Sequence, residues 1–94
     1  MKIGIPLFLL SHRDMARVAT RAESLGFESV WVPEHLVFPA EIRSRYPYTP
    51  DGIAPIRVDA PHLDPLITLT HLAAATSTIR LGTNVYIMPL RHPL

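Results

Sequence analysis

Between residues 2 and 32 an apolar run, an amphipathic helix pattern and a second apolar run follow one another with almost nothing between them. Residues 2–9 form the first continuous apolar stretch, suited to a strand covered on both faces, as in parallel sheets. Ser11 and Asp14 then read as a helix start: a serine oxygen accepts a free backbone N–H, and an acid sits where the helix dipole favours it. Met15, Val18, Ala19, Ala22 and Leu25 recur at helical spacing, and Gly26 supplies a left-handed stop. Residues 27–32 form the next strand, too close to the helix for anything but a tight return. A strand, a crossover helix and a strand make a βαβ unit, whose strands are parallel and whose connection is right-handed.

The rhythm then breaks. Seven of the ten prolines lie between residues 33 and 65, around a turn-like Thr49-Pro50-Asp51-Gly52. An irregular excursion this long is functional or disordered, and Phe38, Tyr46 and Tyr48 give it aromatic surface to pack. Asp64 and Pro65 predict a second N-cap followed by a proline in the first helical turn, with Leu66, Leu69, Leu72, Ala73 and Thr76 as the inner face. Residues 79–87 read as a third strand. Such alternation belongs to folds that close at about 250 residues. The 94 residues present are therefore expected to be part of a larger domain.

With 18% charged residues and a net charge of +1, the chain lacks the electrostatic footprint of a nucleic-acid or membrane-surface binder. It has no cysteine, which excludes disulfides, thiolate metal sites and thiol nucleophiles and fits a cytoplasmic setting. Gly4 and Pro6, without a small-residue cleavage site, argue against a signal peptide. No stretch approaches the roughly 20 apolar residues of a membrane helix.

Chemistry points to Glu34 and His35, directly after the strand pattern Ser29-Val30-Trp31-Val32. Barrel enzymes present catalytic groups at strand ends, and an imidazole there can act as acid, base or hydrogen-bond donor. The plainer alternative is a histidine packed under the loop, with Glu34 solvated or paired with an arginine. A metal set of Glu34, His35 and His62 can be drawn, but no fixed ligand spacing supports it, and no metal is expected. His71 reads as a partly buried helix histidine. Gly82-Thr83-Asn84-Val85 interrupts the third strand in the manner of a bulge or a close backbone approach to a ligand.

Taken together, Leu25-Gly26-Phe27-Glu28-Ser29-Val30-Trp31-Val32-Pro33-Glu34-His35, Asp64-Pro65-Leu66, residues 73–85 and Pro89-Leu90-Arg91-His92-Pro93 resemble the N-terminal part of the luciferase-like monooxygenase superfamily. The resemblance spans essentially all of residues 1–94 and implies an α/β fold, the β-α-β-α-β portion of a (β/α)8 barrel. Residues 45–52 resemble the branch that uses the deazaflavin coenzyme F420, whereas glutamate before His35 also resembles FMN-dependent luciferases. The resemblance implies that His35 is the catalytic histidine beside the cofactor ring. It also implies that Glu34, His35, Gly82, Thr83, Asn84 and Val85 support the cofactor, with a non-proline cis peptide at Asn84-Val85. Phe38, Tyr46 and Tyr48 would wall the pocket of a small-molecule substrate, and the full-length family form would allow a homodimer. The reaction implied is hydride transfer to or from that substrate. The alternatives are an FMN-dependent monooxygenase and a non-catalytic α/β fragment. Alone, these 94 residues are expected to be inactive, with exposed sheet edges.

Overall fold

Each helix starts where its cap dictates. In the computed structural model, which describes residues 1–56 and 62–93, helix α1 spans His12–Ser24 and Ser11 Oγ accepts from the Asp14 N–H at 3.2 Å. Helix α2 spans Pro65–Ala75, and Asp64 Oδ1 accepts from the N–H groups of Leu66 at 2.8 Å and Ile67 at 3.1 Å. Helix α1 ends in a Schellman turn: Gly26 N–H donates to Glu23 and Phe27 N–H to Ala22, each at 3.0 Å. Gly26 sits at φ +79°, a conformation that costs glycine little.

The strands are β1 (Gly4–Pro6), β2 (Ser29–Val32) and β3 (Arg80–Thr83), all parallel in the order β1-β2-β3. They are shorter than the apolar runs at 2–9, 27–32 and 79–87. Past Pro6 the ladder adds one bond, from Leu7 N–H to Trp31 O at 2.8 Å, before Leu9 turns the chain away at φ 57°. The hydrogen bonds do run slightly past the strand ends, from Glu28 N–H to Ile3 O and from Asn84 N–H to Val32 O, each at 2.9 Å. Beyond β3 the chain does not stay extended. The Asn84-Val85 peptide is cis, and a 3₁₀ turn follows at Met88–Leu90.

The register sorts the side chains into two faces. Ile5, Val30 and Leu81 lie in one row and pack with the helices, in a core of Leu7, Met15, Ala19, Ala22, Val30, Val32, Leu72 and Ile79. The next row, Pro6, Trp31 and Gly82, lies on the opposite face. There the Trp31 indole covers Gly4 and Gly82, where a Cβ would stand 2.6 Å from the indole.

Helix α2 turns inward part of the side expected, with Leu72 buried and Leu69 and Thr76 half-buried, but rotated from it. Pro65, Thr68 and Leu72 are buried, whereas Leu66 and Ala73 are exposed. Its sequence is apolar on nearly every side, so periodicity cannot single out a face, and docking on the sheet decides. His71 is exposed rather than partly buried, with its ring set edge-on to that of His12 at 6.3 Å between centroids. Among the described residues no helix is long and apolar enough to cross a membrane.

Candidate active-site cleft

The C-terminal ends of β1 and β2 open into a cleft of about 660 Å³. Alternation of side chains beyond β2 builds its most polar part. Val32 and Glu34 turn inward and are buried, while His35 turns outward and is exposed. Met15, Val32 and Thr68 close the floor, Phe8 and Leu9 form one wall, and His35 stands on the lining with His62. The lining is mostly apolar, and among the described residues it contains no lysine or arginine.

His35 is held by ring contacts. Phe38 lies 5.0 Å from it and 4.2 Å from His62, and the two imidazoles are 6.2 Å apart, measured between centroids. The three rings therefore form a triangle in mutual contact, although Phe38 is not part of the cleft lining. Tyr46 and Tyr48 are not on that lining either; they pack edge to face on each other at 5.4 Å. The aromatic surface of the excursion is thus spent partly on the excursion itself, which Tyr46 N–H closes by donating to Gly52 O at 2.7 Å. Residues 57–61 of the excursion lie outside the described residues.

Glu34 has a different environment from its neighbour. Its side chain is 1% exposed; one carboxylate oxygen accepts from the Arg91 guanidinium and the other from the Ile87 N–H. Arg91 also reaches Asp64 at 2.8 Å and stacks over the Tyr86 ring at 4.6 Å. Asp64 is held below the usual carboxylate range, first by the Ile67 N–H and then by the Arg91 guanidinium, against the opposing effect of desolvation. Sequence reasoning recorded Arg91 only as part of the Pro89 to Pro93 stretch. The available signal was chemical: a carboxylate beside a buried strand needs a cation, and Arg91 follows the third strand.

Gly82 and Thr83 lie within β3, with Thr83 level with Val32. Asn84 and Val85 follow at its C-terminal end and are exposed. The cis peptide joins these two residues, at the position named from the resemblance. Among the described residues no group of histidine, aspartate and glutamate is arranged to hold a metal ion.

Comparison with known proteins agrees in kind. The sequence profile of the luciferase-like monooxygenases matches residues 9–94. An uncharacterized protein of Mycobacterium tuberculosis is 37% identical over 93 residues, covering 98% of this chain and 33% of its own length. A second uncharacterized protein of that organism is 33% identical over 76 residues, 81% of this chain and 26% of its own. One from Sinorhizobium fredii is 32% identical over 81 residues, 86% of this chain and 18% of its own. The chain thus spans a third or less of the length of these curated relatives. No solved structure matches it at a significant level.

Proposed function

The chain belongs to the luciferase-like monooxygenase family, and from that premise we propose that it forms the N-terminal part of a flavin-type oxidoreductase barrel that works with coenzyme F420 on a small organic molecule in the cytoplasm. The observation that carries the reading is His35, exposed on a largely apolar cleft at the C-terminal ends of parallel strands. That is where barrel folds keep their chemistry, in loops that vary over a rigid sheet.

The residues present suit the ring of such a cofactor. A flat heteroaromatic ring needs apolar walls and a few directed polar groups, and the cleft offers Phe8, Leu9, Val32 and the imidazoles of His35 and His62. A phosphate-bearing tail needs cations, which the described lining does not supply. In this reading His35 stands beside the ring for chemistry, and residues 82–85, which are not on the cleft lining, would support the ring from the end of β3. Glu34, whose carboxylate is taken by Arg91 and the Ile87 N–H, anchors the backbone next to His35. When bound, a reduced deazaflavin supplies hydride from a ring carbon. His35 gives or takes the proton at the neighbouring substrate atom. The choice of F420 rests on the likeness of residues 45–52 to that branch. The glutamate in front of His35 favours FMN as the second reading.

Oxidised F420 and, separately, FMN titrated into the protein test this directly. In the longest form of the protein that its reading frame encodes, tight F420 binding that persists in His35→Ala while turnover is lost supports the proposal. Preference for FMN moves the assignment to the second reading, and binding of neither leaves a non-catalytic α/β unit. Because the chain spans so little of its relatives, residues 1–94 alone are not expected to turn over substrate. The homodimer implied for the longer family form belongs to the same reading.

A further inference from the structure

Arg91 is positioned to do more than neutralise a buried acid. Its two terminal nitrogens go to different ends of one loop: Nη2 to Glu34, where the excursion leaves β2, and Nη1 to Asp64 at 2.8 Å, where the excursion enters α2. The second oxygen of Glu34 takes the Ile87 N–H, so the segment that follows β3 joins the same clasp. The arginine is itself restrained, only 23% exposed and lying over Tyr86.

We propose that Arg91 is a positioning residue that staples the two ends of the 35–63 excursion together and fixes the segment after β3 against them. A planar guanidinium suits this role because its nitrogens project in a rigid fork, so two carboxylates bound to it cannot separate without losing a charge-assisted bond. A lysine in its place offers a single nitrogen on a flexible stem and lacks the two fixed, separate nitrogens that reach Glu34 and Asp64. Asp64 also caps α2 through its other oxygen, so the staple links loop closure to the helix start. His35 directly follows Glu34, and the clasp therefore sets where the imidazole stands on the cleft. That last consequence rests on the function proposed above, whereas the closure of the loop does not.

Limited trypsin digestion reads the loop by itself. Arg43 and Arg45 are exposed within the excursion, and Arg17 and Arg21 lie in α1 as internal references. Cleavage inside a folded protein follows local opening. Arg91→Met is expected to raise the cleavage rate after Arg43 and Arg45 by about tenfold or more over the α1 sites. Asp64→Asn, which frees only the far end, is expected to raise it several-fold. Arg91→Lys should resemble Asp64→Asn rather than wild type. Unchanged loop cleavage in Asp64→Asn and Arg91→Lys overturns the staple. So does release of all sites together in those two variants, since that is loss of the fold and not of a loop base. Loop-selective cleavage in a protein that binds neither F420 nor FMN would retain the staple and defeat the functional reading.

Discussion

Two glutamates at opposite ends of the sheet do similar work by different means. At the N-terminal end of the strands, one oxygen of Glu23 accepts the N–H groups of Ser77 at 2.8 Å, Thr78 at 2.5 Å and Ile79 at 2.9 Å, with the Thr78 hydroxyl at 3.0 Å. All the donors belong to one turn leading into β3. At the C-terminal end, Glu34 shares a side-chain guanidinium with Asp64 and takes a single backbone N–H. The first clip joins α1 to a short connection and stands far from the cleft. The second joins the end of β2, the start of α2 and the segment after β3, and leaves the His35 side chain out of the clasp and on the cleft lining. Barrels keep stability at one end of the strands and chemistry at the other. Here the two carboxylates reflect that division, fixed backbone donors on one side and a side-chain clasp under loops on the other.

The largest effects should therefore come from the C-terminal end and divide cleanly between adjacent residues. His35→Ala removes an exposed side chain. If the proposed function holds, in a longer form that turns over substrate it is expected to cost about 10²- to 10⁴-fold in turnover, the range of general acid–base groups, with little change in melting temperature. Glu34→Ala leaves Arg91 and the Ile87 N–H without their buried acceptor and is expected to lower the melting temperature by about 10 °C. Thermal unfolding and steady-state kinetics on the same pair of variants check this. If His35→Ala proves the less stable of the two, the division between support and chemistry within that pair is wrong.

What could be read without coordinates was local. Ser11, Asp64 and Gly26 act within a few residues of themselves, and all three sit at the helix boundaries they signal. The parallel βαβαβ order is equally local, because short returns leave little choice of neighbour. The Glu23 clip was illegible, and for Glu34 an arginine partner could be named in kind but not by position, because the partners lie 53 to 57 residues away. Sequence spacing carries no information on contacts that exist only after the sheet forms. Tyr46 and Tyr48 show the same limit from another side: aromatic residues in a loop need a partner, and here each is the other's. The inner face of α2 was read only in part, right at Leu69, Leu72 and Thr76 and wrong at Leu66 and Ala73, since an almost uniformly apolar helix offers no sharp stripe.

The Glu23 clip predicts a pH signature. Its backbone donors, Thr78 first, then Ile79 and Ser77, pull its pKa from 4.5 down to about 2. A carboxyl lowered on folding contributes stability that is complete above the unfolded value. That contribution is lost as pH falls from about 4.5 towards about 2. Glu23→Gln keeps an oxygen for the same donors but no charge. The melting temperature of wild type should exceed that of Glu23→Gln by a few degrees at pH 6, and the gap should close towards pH 2.5. A gap independent of pH would mean that Glu23 works by shape alone.

The smallest effect belongs to the face between the two clips, where neither glutamate reaches. A Cβ at Gly82 would meet the Trp31 ring at 2.6 and 2.8 Å, too close to be tolerated without movement. The neighbour is the outer edge of a side chain that is 41% exposed, so the indole can swing outward rather than force the backbone apart. Swinging strains its 3.0 Å bond from Nε1 to Ser29 Oγ. Gly82→Ala should accordingly cost about 1 kcal/mol, at the low end for overpacking. It should also shift the emission of the chain's single tryptophan to longer wavelength as the ring meets more water. A loss well beyond that range with unchanged emission would mean the indole is pinned and the strand moves instead. In that case this face is as tightly specified as the two ends, and the contrast drawn between them would extend to a third, equally rigid region.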